Sequence, residues 1–366
     1  MSENFNLKTA CVFSEAFFDH VAPIDHPECP GRLRAVVKTL KESGLWKGFD
    51  FIKPRRVDHE ELTLIHQPHY LTAVEQKLMR GVSGYLDLGD TYYSPGTYQA
   101  AYEAAGGGID MVRAIMNGSV ENGIALVRPP GHHAETDLAM GFCLFNNIAA
   151  AAASIVKDDP TKKVAIVDFD VHHGNGTQNI FYSNPSVLYA SIHQSPLFPG
   201  TGDIDETGSD KAPGTTINVP MPPLGDDVDW VYALTNLIFP VIRKFNPDII
   251  LVSAGYDAHK LDHISSQTLT DRGFSIIHSM LFSLATEICN GKLGVFMEGG
   301  YHFDALATGI SSFSKILLTG NLNDDIQFEN SPAHSTVTTV NKVLTSINSI
   351  WNIKLTDDGD SFYELY

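Results

Sequence analysis

The chain has 366 residues, long for one domain but within the range of a single large α/β sheet, and its 43% hydrophobic content allows a sizeable core. Lys plus Arg number 25 against 43 Asp plus Glu, a net charge of −18, which excludes following a nucleic-acid backbone by bulk charge. Four cysteines without a CxxC spacing (Cys11, Cys29, Cys143 and Cys289) read as free thiols in a reducing cytosol. There is no apolar run of membrane-spanning length and no basic-then-apolar start, so a soluble, cytoplasmic protein without a membrane partner is expected.

Lys8–Phe13 reads as the first strand. A polar loop with three prolines, His20–Gly31, leads into an amphipathic helix over Arg32–Trp46 that ends near Gly44. The segment from His59 to His69 is helical or mixed, and the histidines of HQPHYL read as structural. Gly81–Pro95 reads as a loop. Tyr98–Asn117 is an alanine-rich helix, and Gly106-Gly107-Gly108 inside it implies close approach of another element. Gly123–Val127 is a strand that runs into RPPGHHA, and Asn146–Lys157 is a buried helix.

Val164–Val167 is a short β-branched run, the mark of a strand buried on both faces. Past it the chain turns polar, with Asp168, Asp170, His172 and His173. Alternation along an extended chain puts Asp168, Asp170 and His172 on one side. Two carboxylates and an imidazole there are costly to desolvate unless a cation joins them. Oxygen and nitrogen donors of this kind suit zinc, with ferrous iron as the alternative.

Strands follow over Val187–His193, Ile217–Val219, Asp248–Ser253 and Leu293–Met297, and helices over Val228–Phe245, Asp271–Cys289 and Ala305–Leu318. The alternation predicts an open, mostly parallel sheet with helices on both faces and a site at the C-terminal strand ends. Five strands end in Arg128 with His132 and His133, Asp170 with His172, His193, Asp257, and Glu298 with Tyr301. Asp170, His172 and Asp257 make three ligands with a position left open, the pattern of a catalytic metal. Residues 1–320 are expected to form a catalytic domain. Residues 321–366 are expected to be an extension packed back on it, with a helix over Val340–Trp351 and an acidic tail.

The motifs HPECPGRL, DTYYSPGTY, RPPGHHA, GFCLFNN, VDFDVHHGNGTQ, FPGTGD, SAGYDAH and EGGYH together resemble the histone deacetylase superfamily, from about Lys8 to Leu318. HHGNGTQ is closer to its class II branch. The resemblance implies the arginase-deacetylase fold and zinc bound by Asp170, His172 and Asp257. It implies that His132 and His133 handle protons and that Asp168 and Asn175 hydrogen-bond them, while Tyr301 donates to the carbonyl oxygen. Gly141, Phe142 and Phe198 would wall an acyl-lysine tunnel. Asp90 would grip substrate at the rim, its plain alternative being a loop cap. Arg32 would line an internal cavity, its alternative being a surface helix position. Potassium near Asp168, Asp170, His172 and Ser191 is also implied.

Arginase-type second-metal carboxylates are absent: Gly174 and Gly255 stand there, which favours one metal. Asn175 stands where one branch has Asp. A neutral amide cannot favour an imidazolium as a carboxylate would, so His133 is read as the neutral base and His132 as the protonated partner of Asp168. The implied activity is hydrolysis of an N-acetyl amide, from acetyl-lysine in a protein or peptide, or from an acetylpolyamine or other small acetylated amine. A non-catalytic acyl-lysine binding module is the reading from a different class. Self-association is left open by the sequence.

Overall fold

In a computed structural model, residues 5–322 and 328–353 are described. Ten strands follow in chain order: β1 Thr9–Val12, β2 Phe49–Ile52, β3 Gly84–Tyr85, β4 Tyr92–Tyr93, β5 Asn122–Ala125, β6 Val164–Asp168, β7 Val187–Gln194, β8 Thr216–Met221, β9 Ile249–Ala254 and β10 Leu293–Met297. Eight of them form one parallel sheet in the order β2-β1-β5-β10-β9-β6-β7-β8. The central strands are buried along their whole length, as the continuous apolar runs require.

Helices cover both faces. Thr9 and Val12 point to opposite sides of β1. The Thr9 hydroxyl donates to the Leu317 carbonyl in helix Phe303–Thr319 at 2.7 Å. Val12 meets Gly107 in helix Thr97–Met116, where an added Cβ would lie 2.5 Å from its methyl. The neighbouring Gly106 leaves even less room: a Cβ would sit 2.2 Å from the Arg55 carbonyl oxygen, a backbone atom with little freedom to retreat. The three glycines thus let this helix approach the sheet and the 54–57 segment.

Some local expectations shift. β2 is absent from the reading above because FDFI is an edge strand, half solvent-facing and too short for its alternation to stand out. The expected loop at 81–95 contains the antiparallel hairpin of β3 and β4. β8 runs through Pro220, which the sheet tolerates because β8 is the other edge and pairs with β7 alone. The expected helix 228–245 has a wide turn over Leu234–Ile238 before Pro240, whose missing N–H cannot complete a regular ladder. Helix His334–Trp351 lies along β8, with Val340, Val343 and Ile347 buried and the Trp351 indole donating to the Gly214 carbonyl at 2.8 Å. The acidic tail read at 357–366 lies outside the described residues. No helix among the described residues is long and apolar enough to cross a membrane.

The topology reverses between β6 and β9. From β6 the chain moves outward to β7 and β8, and from β9 it moves the other way to β10. Loops leaving adjacent strands in opposite directions open a crevice at their carboxyl ends. Gly106→Ala should destabilise the fold by about 1–3 kcal/mol through overpacking. The check is a lowered thermal midpoint with the sheet signal retained in circular dichroism.

Candidate metal centre and active site

The crevice is filled from both sides. β6 ends at Asp168, which pairs with Ser191 and Ser253. The alternation nevertheless continues, since Phe169 and Val171 are fully buried while Asp170 and His172 turn toward the crevice. β9 delivers Asp257 to the same place. Donor atoms of Asp170, His172 and Asp257 all lie within 4.8 Å of one another, and this is the one such group of three or more among the described residues. His172 Nδ1 stands 3.0 Å from Asp170 Oδ1 and 3.1 Å from Asp257 Oδ2.

The three residues fit a divalent cation. Asp257 Oδ2 is buried with the His172 ring nitrogen as its polar neighbour, whereas Oδ1 accepts the Val171 N–H at 3.0 Å. Asp170 Oδ2 accepts the Gly299 N–H at 2.8 Å. Each carboxylate is therefore oriented by backbone and turns its other oxygen to the centre. Electrostatics point the same way. Burial and the neighbouring Asp170 charge push Asp257 up to about 6. Burial would lower His172, but its bonds to the two carboxylates outweigh that and raise it to about 10. Two carboxylates buried against one imidazole leave the trio with an excess of anionic donors, which a divalent cation would balance. Two oxygens and an imidazole nitrogen form a donor set suited to zinc or ferrous iron. Gly174 and Gly255 leave no space for further carboxylates. A Cβ at Gly174 would lie 2.2 Å from Asp168 Oδ2, and one at Gly255 2.0 Å from Asp170 Oδ2.

The tandem histidines stand beside this centre, their rings 4.0 Å apart. His132 Nδ1 is 3.1 Å from Asp168 Oδ2, and His133 Nδ1 is 2.8 Å from Asn175 Oδ1. Burial disfavours charge on both, yet they diverge. Asp168 and Asp170 overcome burial at His132 and raise it to about 10. Burial and the neighbouring His132 and His172 charges hold His133 well below its ordinary value, and Asn175 offers no charge to offset them. Tyr301 lies beside Phe142 and within electrostatic reach of Asp257 and Asp170. Burial pushes its phenol well above the ordinary value, and Asp257 and Asp170 add to that against the opposing pull of Arg32, so the hydroxyl keeps its proton.

The remaining expected positions fall around the opening. Phe198 is 43% exposed and meets the His133 ring edge-on at 5.1 Å. Phe142 meets Tyr301 edge-on at 5.9 Å. Gly141 has φ +53, and a Cβ there would lie 2.3 Å from the His133 ring. Asp90 is exposed on the β3–β4 hairpin; the loop cap is Asp87, whose carboxylate accepts the N–H groups of Gly89, Asp90 and Thr91. Arg32 is fully buried, so the surface alternative fails. It donates to Glu28 and to the carbonyls of Glu298 and Gly300, with its guanidinium 4.8 Å from the Tyr301 ring centre.

Several supporting residues carried no legible role in the sequence. Tyr189 donates to Asp168 Oδ2 at 3.0 Å; a tyrosine in a buried strand signals only that its hydroxyl needs some partner. Glu298 Oε2 accepts the Gly131 N–H at 2.7 Å, tying the histidine loop to β10, and burial raises its carboxyl to about 7. Arg128 grips Glu28 with two donors inside the protein. His173, second of the HH pair, is not a ligand. It bonds Thr201 and Gln178 and so holds the loop that carries Phe198.

The model of the histone deacetylase domain family matches residues 26–317. Histone deacetylase 15 of Arabidopsis thaliana is 38% identical over 96% of this chain and 64% of the relative. A probable deacetylase of Archaeoglobus fulgidus is 37% identical over 80% of this chain and 81% of its own length. The human polyamine deacetylase HDAC10 is 36% identical over 85% of this chain and 48% of its own. The solved HDA15 HD domain superposes with a TM-score of 0.86 at 36% identity, covering 94% of this chain and 96% of that one. The chain thus spans less than two thirds of the Arabidopsis relative and about half of the human one.

Gly255→Ala would press a methyl group onto Asp170 Oδ2, the oxygen held by the Gly299 N–H, and so turn the carboxylate that offers its other oxygen to the metal. It should weaken metal binding by roughly 10–100-fold, a loss typical of disturbed ligand support. Competition between the protein and a calibrated chelator measures the change.

Proposed function

The chain belongs to the histone deacetylase family, and from that premise we propose that it is a metal-dependent amidohydrolase removing acetyl groups from acetyl-lysine side chains of proteins or peptides. The observation that carries the reading is the convergence of a three-donor metal site with one neutral imidazole and one protonated phenol. Zinc is the proposed metal and ferrous iron the alternative; potassium beside Asp168, Asp170, His172 and Ser191 is a further proposed ion. Residues 1–320 are proposed as the catalytic unit and 321–366 as its extension. A cytoplasmic location remains part of the proposal.

The cation, when bound, supplies the Lewis acidity that makes an amide carbonyl electrophilic and water acidic. The chain's own residues do the rest. His133 donates its Nδ1 proton to Asn175, which leaves Nε2 free to accept a proton from water. The imidazolium so formed returns that proton to the departing amine, and acetate and free amine result. His132 stays cationic against Asp168 and offsets the buried carboxylates beside it. Tyr301 donates to the oxygen of the attacked carbonyl, where negative charge grows. Phe142 and Phe198 would flank the aliphatic stem of the acylated side chain, with Gly141 keeping the passage open, and Asp90 at the rim would accept substrate N–H groups. Arg32 supports Tyr301 from behind.

An acetylpolyamine or other small acetylated amine is the second reading, favoured by the named activity of the human relative. The non-catalytic binding module is disfavoured because no ligand, histidine or tyrosine of the site is degenerate.

Metal-loaded protein should release acetate from an acetyl-lysine peptide at a kcat/KM above that for acetylspermidine. The reverse order selects the polyamine reading, and binding of the peptide without turnover by the loaded protein selects the binding module. Tyr301→Phe should lower kcat by about 10²–10³-fold, the usual loss for one oxyanion donor. Asn175→Asp places a carboxylate beside His133 and favours its cationic form. Its pKa therefore rises, and the acidic limb of the kcat/KM profile should move to higher pH. A limb that stays in place argues against His133 as the base.

A further inference from the structure

Tyr301 sits on a backbone with little stiffness of its own. It follows Gly299 and Gly300, and Gly300 has φ +109, open to glycine but strained for other residues. Something outside the segment must set where the phenol points.

The peptide group joining Gly300 to Tyr301 is bonded at both of its polar atoms. Its carbonyl accepts from Arg32 Nε at 2.7 Å, and its N–H donates to Asp262 Oδ2 at 2.5 Å. One partner is cationic and the other is a carboxylate, so both bonds belong to the strong, short class. The same Asp262 oxygen accepts the His302 N–H at 2.9 Å, while Oδ1 accepts the Ile264 N–H at 3.2 Å. Asp262 itself is buried, and its own N–H donates to the His259 carbonyl at 2.8 Å, which folds the loop after Asp257 onto itself. A peptide plane held from both sides cannot rotate, and that rotation is what would swing the Tyr301 ring.

We propose that Asp262 is the positioning residue for Tyr301, forming with Arg32 a two-sided charged grip on the Gly300–Tyr301 peptide that aims the phenol at the metal centre. The proposal rests on the role given to Tyr301 above. It also couples two loops. Asp257 and Asp262 leave β9 together, so the loop that places a metal ligand also places the hydroxyl across from it. A misplacement of about 1 Å at a reacting group can cost about 100-fold in rate, so the grip matters to turnover more than to binding.

Asp262→Asn keeps the shape but leaves one acceptor oxygen for N–H groups on two sides of the carboxylate. In metal-loaded protein the Tyr301 and His302 amides should exchange hydrogen at least about tenfold faster than in wild type, a local opening that requires no turnover to observe. On acetyl-lysine peptide, kcat should fall about tenfold or more with KM within about twofold. In a Tyr301→Phe background the same change should alter kcat by less than about twofold, because the group being aimed is already gone. Unchanged exchange, or an equal loss of kcat in both backgrounds, overturns the proposal. Asp262→Ser is the second variant. If neither accumulates as a cooperatively folding protein, Asp262 is a residue of the fold at large and the positioning role is rejected. Absence of turnover in the wild type would sink the deacetylase reading instead, and the exchange comparison would still decide the grip.

Discussion

A buried excess of negative charge governs this molecule. Asp168, Asp170 and Asp257 are all fully buried within one crevice, and carboxylates taken out of water are unfavourable unless charge and hydrogen bonds meet them. Backbone N–H groups of Val171, His172 and Gly299 meet some of the oxygens. His132 meets others as a cation, and the His172 ring nitrogen lies against both Asp170 and Asp257. Asp257 Oδ2 has no backbone donor, and a divalent ion at the centre of the three donors would answer it. Parallel strands make this arrangement available, because their carboxyl ends converge where the topology reverses.

The same charge balance divides two chemically identical side chains. His132 and His133 are adjacent in sequence, equally buried and in ring contact. Burial lowers both, but Asp168 and Asp170 overcome it at His132, whereas His133, facing the neutral Asn175 and the charges of His132 and His172, is driven the other way. Groups of one type held in contrasting environments are how a site comes to contain both an acid and a base near neutrality. Tyr301, kept protonated by burial and by nearby anions, completes the set with a donor that does not ionise.

Rigidity is the second theme, and it comes from backbone contacts at glycines and from buried charges. Gly141, Gly174 and Gly255 each stand where a Cβ would strike an active-site atom. Arg32, Asp262 and Glu298 direct their polar atoms to main-chain groups of the loops that carry Tyr301 and the histidines. The site is thus supported by charged side chains that bond to peptide groups, which keeps each loop oriented.

The residues proposed to carry the chemistry were legible in the chain because their signals are local. A β-branched run that breaks into Asp168-Phe169-Asp170-Val171-His172 states both the strand and the loaded end, and Gly106-Gly107-Gly108 announces a close helix contact. β2 and the β3–β4 hairpin were not legible, since two to four residues at a sheet edge leave no periodic trace. Nor were some partners of the site: Tyr189 and Asp262 are meaningful only through what lies across space from them, and Arg128 and Glu298 were placed at the strand ends without their partners. By itself the sequence determined which strands are buried and which side chains leave their ends, because burial and alternation act over a few residues. The tertiary structure alone decided the strand order that brings Asp170, His172 and Asp257 together, and the grip on Tyr301. Those depend on hydrogen bonds and fields between residues far apart in the chain, and no local pattern encodes them.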